Sequence, residues 1–336
     1  MSTFSRAGRL AVVASAAVAV GVSACSSSGG GSSKSIAIVA FSVPKPAYDA
    51  LETAFQKTSA GKGVKFSQSY GPSGTQSKAV ASGEAADYVA LSLEPDMTKL
   101  VPNFVDPGWK TGTTKGIVSE SVVVIAVRKG NPKHITGWND LIKPGVKIVT
   151  PDPASSGSAK WNILAAYTHV LADGGTANQA KSYLTSFFRH VVSKPASGSD
   201  ATTTFLKGTG DVLISYENEA ISSRQKGAAL DYVVPDESIL IQNPGAVTKK
   251  ASPVAKDFLN YVESDAGQQV FVSKGFRPVS TSVHVGTVKG ANNPAAPFPT
   301  VKKLTTIDQL GGWAKVNKEF FADTNGIVTL IEKGAA

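Results

Sequence analysis

The chain has 336 residues and a formal net charge of +9, from 34 Lys and Arg against 25 Asp and Glu, with 42% hydrophobic residues and one cysteine. One cysteine excludes a disulfide framework and any thiolate metal cluster. The basic residues are scattered and nowhere interleave with aromatics, so the charge reads as a solvated surface with a mild pull on anions and not as a nucleic-acid groove.

At the N-terminus, Arg6 and Arg9 precede an Ala- and Val-rich stretch from Leu10 to Val22. A membrane span needs roughly 20 apolar residues; this run breaks off sooner, into Val22-Ser23-Ala24-Cys25, and the chain turns polar at once. A basic start, a short apolar core and a small-residue cleavage site read as an export signal over residues 1–25, not as an uncleaved anchor helix. Cys25 stands where bacterial lipoproteins are cut and acylated, which makes it the expected lipidation site. The expected location is extracytoplasmic, on the outer face of the cell membrane. Residues 26–35 are Ser- and Gly-rich and read as a flexible tether.

About 300 residues remain beyond the tether, enough for one large or two medium domains. Short β-branched runs predict strands over 36–41, 64–68, 87–91, 122–128, 146–150, 212–216 and 230–234. Between and after them, helices are predicted over 46–58, 74–83, 95–100, 158–172, 176–188, 200–207, 217–226, 252–263, 265–273, 306–309 and 312–322. This alternation indicates βαβ units and parallel sheets, an α/β fold. No repeat of 20–50 residues is visible, which excludes solenoids and propellers.

Three of the predicted helices begin alike: at Ser73-Gly74, at Ser155-Ser156-Gly157-Ser158, and at Ser197-Gly198-Ser199-Asp200. The first N–H groups of a helix lack internal partners and sit at the positive end of its dipole. Small residues leave those groups open, and such ends bind tetrahedral anions without a cationic side chain. Ser, Gly and Asp are also favoured caps, so any one start alone reads as plain capping. Three such starts in one α/β chain point to a shared anion pocket.

Catalytic signatures are missing. The sequence has no HExxH and no GxSxG, and His134, His169, His190 and His284 show no ligand spacing. The run from Gly175 to Ser182 nearly spells a phosphate loop, but Ala180 stands where its second glycine belongs and no strand leads into it. Glu217 and Glu219 suit structural pairing better than acid–base work. The expectation is a binding protein, with no enzyme activity, cofactor or metal. An anchored hydrolase of sulfate or phosphate esters is the alternative, and it would need a nucleophile with a base or a metal cage.

The segment RKGNPKHITGWNDLIKPGVKIVTPDPASSGSAKWN (128–162) closely resembles the sulfate-binding proteins of bacterial ABC importers. So do SYGPSGTQSKAVASGEAADYVALSL (69–93), TTFLKGTGDVLISYENEA (203–220) and TIDQLGGWAKVNKEFF (306–321). The resemblance implies a two-lobed periplasmic-binding-protein fold of type II, with the ligand cleft between lobes joined by two crossing strands, near 120–127 and 238–248. It implies a first lobe from 36–120 plus 248–336 and a second from 121–247. It also implies sulfate held by donors alone: the N–H groups of Val43, Ser73, Gly157, Ser158 and Gly198, the Ser156 hydroxyl, and Tyr216. The implied partners are sulfate, the permease subunits of an ABC importer and the membrane lipid, with the protein itself a monomer. Thiosulfate, molybdate and phosphate remain alternative ligands.

This sequence departs from the family's pattern at four of these places. Val43 replaces an aspartate and Ser158 a glycine, both at positions that donate through the backbone. Asp200 stands for a glycine, as a cap or as an acceptor for a protonated ligand. Tyr216 replaces a tryptophan whose indole N–H is a donor, the change with most bearing on specificity.

Overall fold

A computed structural model describes residues 34–334; the export signal, Cys25 and tether residues 26–33 lie outside the described residues. The first strand, β1 (Ser35–Phe41), starts at the last residue assigned to the tether and is followed by α1 (Lys45–Phe55), β2 (Lys65–Gly71) and α2 (Ser73–Ala81). Next come β3 (Tyr88–Ala90), α3 (Glu94–Thr98), the long β4 (Ile117–Arg128), a 3-10 turn at Trp138–Ile142 and β5 (Ile148–Val149). The middle of the chain forms α4 (Gly157–Ala172), α5 (Ala177–His190), β6 (Val191–Ser193), α6 (Gly198–Leu206), β7 (Val212–Tyr216) and α7 (Glu217–Gln225). It closes with β8 (Leu230–Val233), β9 (Glu237–Val247), α8 (Pro253–Glu263), α9 (Asp265–Ser273), β10 (Lys303–Thr305), a 3-10 turn at Asp308–Leu310, α10 (Gly312–Phe320) and α11 (Ile327–Glu332).

The alternation of side chains explains β1. Ile36, Ile38 and Ala40 enter one core cluster with Tyr48, Leu51 and Phe258, while Val39 enters another with Val89 and Leu91. A strand buried on both faces belongs in the middle of a parallel sheet, and β1 pairs in parallel with β2 and β3. In α1 the buried residues Ala47, Tyr48, Leu51 and Phe55 form one stripe at helical spacing. In α4 twelve of the first thirteen residues are buried, so this helix lies inside the protein with no solvent face over that length.

Two long strands knit the sheet together. β4 runs antiparallel to β9 over Ile117–Val122, then to β7 over Val123–Val127, and to β8 over Ile125–Arg128. β9 in turn pairs with β3 through Gly245–Val247 and with β10 through Glu237–Ile239. The order is β2-β1-β3-β9-β4-β7-β5-β6, with the parallel strands β1–β3 on one side and β5–β7 on the other. β9 is absent from the strands predicted by β-branched runs, because Asn243, Pro244 and Gly245 interrupt the pattern. β4 starts five residues early because tertiary pairing with β9 holds the polar Ser119, Glu120 and Ser121.

The side chains of the segment 248–336 divide among three core clusters. Val254, Ala255, Phe258, Val262 and Phe271 of α8 and α9 do join β1 and β3. Val283, Val288, Ala291 and Val301 instead join Phe205, Leu213 and Tyr232, and Val316, Phe320, Val328 and Ile331 join Trp161, Tyr167, Leu184 and Phe187. Phe320 meets Tyr167 edge to face at 4.8 Å between centroids. From residue 283 onward the chain therefore covers apolar surface on the 121–247 segment, α4 included.

Candidate functional site

Parallel α/β sheets leave a crevice beyond the C-terminal ends of their strands, where chain direction changes. Here the turn after β1 (Ser42, Val43), the start of α2 after β2, Ser92 just past β3, and the starts of α4, α6 and α7 after β5, β6 and β7 all lie at such ends.

The three helix starts differ in how their side chains are used. At α2 the cap position is Pro72, which offers no side-chain bond. The Ser73 hydroxyl donates to Asp96 Oδ2 at 2.8 Å and accepts from the Ser92 N–H at 3.0 Å, so toward the cleft Ser73 offers its backbone. At α4, Ser156 caps without a side-chain bond to its own helix, and Ser156 and Ser158 are both buried. At α6, Ser197 is a conventional cap: its Oγ accepts from the Asp200 N–H at 3.1 Å and donates to Asp200 Oδ2 at 2.7 Å. Asp200 is exposed and its carboxylate serves the cap.

These elements meet. A Cβ placed on Gly198 would lie 2.8 Å from Val43 Cγ2 and 3.1 Å from Ser158 Oγ, so the start of α6 touches both the β1 turn and the start of α4. A Cβ on Gly157 would lie 2.7 Å from Ser92 Cβ and 2.9 Å from Leu93 Cγ. The Gly74 N–H donates to the Ser155 carbonyl at 3.2 Å and ties α2 to the approach of α4. Tyr216, fully buried at the end of β7, places its hydroxyl 2.8 Å from Ser92 Oγ, with Ser158 and Asn243 also facing it. Burial pushes the phenol well above its ordinary pKa, so Tyr216 stays neutral.

Val43, Ser73, Ser156, Gly157, Ser158, Gly198 and Tyr216 are thus gathered around one place, and none of them carries a charge. Neutral donors at helix starts in a desolvated crevice favour an anion and offer it no countercharge. Sequence reasoning missed three residues that organise this place. The Ser92 carbonyl accepts from Trp161 Nε1 and from Asn243 Nδ2, each at 3.0 Å, while its hydroxyl meets Tyr216. No local signal marks Ser92, which reads as one small residue in Ala90-Leu91-Ser92-Leu93.

The other polar residues singled out in the sequence lie in structural settings. His169 is held by its Nδ1 on the Ala166 carbonyl at 2.7 Å, stacked on Trp138 and edge-on to Tyr183, and burial lowers its pKa to about 4. Glu217 pairs with Arg277 at 2.7 Å, and Glu219 accepts from the Ser215 hydroxyl at 2.8 Å. Among the described residues no three His, Cys, Asp or Glu side chains gather as a metal cage, and no helix is long and apolar enough to cross a membrane.

Two sets of parallel strands joined by two long strands, with helix starts converging between them, define the α/β class of the periplasmic binding proteins. Comparison with known proteins agrees. Residues 36–277 match the family described as bacterial extracellular solute-binding protein. The sulfate-binding protein of Synechococcus elongatus is 38% identical over 300 residues, covering 86% of this chain and 84% of its own. That of Escherichia coli is 34% identical, covering 85% of this chain and 89% of its own. The solved sulfate-binding protein SubI from Mycobacterium tuberculosis superposes with a TM-score of 0.79 and is 42% identical, covering 86% of this chain and all of that one. The chain belongs to the bacterial extracellular solute-binding protein family.

Proposed function

We propose that this protein captures sulfate outside the cytoplasm and hands it to the permease of an ABC importer. The observation that carries this reading is the meeting of the α2, α4 and α6 starts with Val43 around an uncharged, buried place. Sulfate is held there by the N–H groups of Val43, Ser73, Gly157, Ser158 and Gly198 and by the Ser156 hydroxyl, with Tyr216 adding a hydroxyl. Each donor is fixed by the fold, so the anion is desolvated without a reorganisation cost inside the site.

On this reading the protein is a receptor and not an enzyme: the cleft presents donors, and the Ser73 hydroxyl, which has a carboxylate beside it, is spent on Asp96 and on the Ser92 N–H. Two lobes close on the anion, residues 36–120 with 248–277 against 121–247 with 283–334, and β4 and β9 cross between them. A lipid on Cys25 keeps the monomer at the outer face of the membrane, within reach of its permease. Calorimetric titration of the purified protein with sulfate, thiosulfate, molybdate and phosphate tests the reading. Sulfate is expected to bind most tightly with one site per chain, and failure of all four anions to bind would refute it.

A further inference from the structure

A second feature lies against the outer side of the same helix starts. A cavity of about 310 Å³ is lined by Gly74, Thr75 and Lys78 of α2, by Ser155, Ser156, Gly157 and Lys160 at the start of α4, and by Asp323 and Glu332 near the C-terminus. It shares Ser156 and Gly157 with the proposed sulfate ring, so the two spaces adjoin through the first turn of α4.

Lys160 is the unexplained residue of this lining. It is the fourth residue of α4, at the positive end of a sixteen-residue helix, where the dipole disfavours a cation. Its side chain is half-buried, with Nζ 4.7 Å from the centre of the Phe321 ring, and among the described residues it forms no ion pair. The lining's carboxylates are mostly committed elsewhere. Asp96 is held by Lys99 at 2.9 Å and by the Ser73 hydroxyl, and Glu332 pairs with Lys194. Asp96 and, more weakly, Asp323 act on the Lys160 charge without closing an ion pair with it. Burial lowers the pKa of Lys160, the mark of a charge whose water has been partly removed without full compensation.

We propose that this cavity is a vestibule in which the Lys160 ammonium holds a tetrahedral oxyanion dianion before it passes to the ring. The anion supplies the direct ion-pair partner that Lys160 lacks, and the field of the ammonium raises the rate of capture. The inner ring offers helix dipoles but no cation of its own, so a full positive charge beside it adds to the pull on an approaching anion. The proposal rests on the reading of the ring as a sulfate site.

Stopped-flow measurement of Trp fluorescence on mixing with sulfate tests it. In the parent protein the association rate should fall as ionic strength rises. Lys160→Met should slow association by about threefold or more at low salt and flatten that salt dependence, the signature of steering by charge. Its dissociation rate should stay unchanged, and Lys160→Arg should restore the association rate. A Lys160→Met protein that associates at the parental rate overturns the vestibule, as does slowed association that Lys160→Arg leaves unrescued. A parent protein that gives no saturable sulfate signal refutes the ring itself, an outcome distinct from either.

Discussion

The Tyr216 hydroxyl lies 2.8 Å from the Ser92 hydroxyl, joining the end of β7 to the chain just past β3. One of these two groups donates to the other, and the other is left with a proton for a third partner. If Tyr216 accepts from Ser92, its own O–H is free to donate to the anion; an indole at this position could only donate. Tyr216→Phe should therefore weaken sulfate binding by about 1.5–3 kcal/mol, the range for hydrogen bonds to charged groups. Tyr216→Trp retains a donor and should bind more tightly than the Phe variant. Equal sulfate affinity in the Phe variant and the parent, measured by calorimetry, would take Tyr216 out of the ligand shell and leave it as a partner of Ser92 alone.

Close approach at Gly198 gives a second prediction. With Val43 Cγ2 2.8 Å and Ser158 Oγ 3.1 Å from the Cβ position, an added methyl must push the α6 start away from both neighbours. A displacement of a few tenths of an ångström misaligns several donors at once, so Gly198→Ala should raise the sulfate dissociation constant by about tenfold or more, the loss of roughly one charge-assisted hydrogen bond. Gly112 has nothing within 4 Å of its Cβ position, and Gly112→Ala should bind as the parent does. Identical affinities for all three proteins would argue against a ligand at the α6 start.

How much of this could be read from the sequence depends on how local the signal is. The strand β7 and the helix α9 were predicted to the residue, because each is a short apolar or amphipathic run between clear breaks. β9 was hidden from the β-branched pattern by Pro244 and Gly245, which belong in a strand here because β4 and β3 pair with them, and it was the family resemblance that placed a crossing strand near 238–248. The helix starts were legible as Ser-Gly runs, since capping chemistry is local. That Ser92 would sit between Tyr216, Trp161 and Asn243 was not legible. Those three residues are 124, 69 and 151 positions away, and only the fold brings them together.

His169 should make stability depend on pH. Burial lowers its pKa to about 4 in the folded protein, below the ordinary value of 6.5. Between those values the unfolded chain takes up a proton that the folded one refuses, so stability is full above about pH 6.5 and declines as pH falls toward 4. The contribution is about 3 kcal/mol at most, from the size of the shift. Urea unfolding of the parent and of His169→Phe at pH 7 and pH 4.5 isolates this from the carboxylates common to both. The parent should lose more stability than the variant over that interval; equal losses would show that His169 is not the group responsible.

Cys25 lies outside the described residues, and its role is tested by location. One acyl chain binds a membrane only marginally, whereas two or more anchor it stably. The Cys25→Ala protein should move from the membrane to the soluble fraction while keeping its sulfate affinity. Unchanged membrane association in that variant would remove the lipid anchor from the account.

Selectivity against phosphate follows from what the ring lacks. Sulfate carries no proton near neutral pH, while phosphate keeps at least one, and that P–OH needs an acceptor. The proposed ring consists of N–H groups, which only donate, and of the Ser156 and Tyr216 hydroxyls, whose protons are directed at the anion; it holds no carboxylate. Asp200, two residues from Gly198, is exposed and bonded to the Ser197 cap, and Glu217, next to Tyr216, pairs with Arg277. A buried P–OH facing donors should cost about 1–3 kcal/mol, a factor of roughly ten to more than a hundred in affinity. Because Asp200 is occupied as a cap partner, Asp200→Asn should leave the sulfate-to-phosphate ratio unchanged. Parallel titrations at pH 7 decide both points. Comparable affinities for the two anions would mean that an acceptor reaches the ring, and a ratio that widens in Asp200→Asn would identify Asp200 as that acceptor.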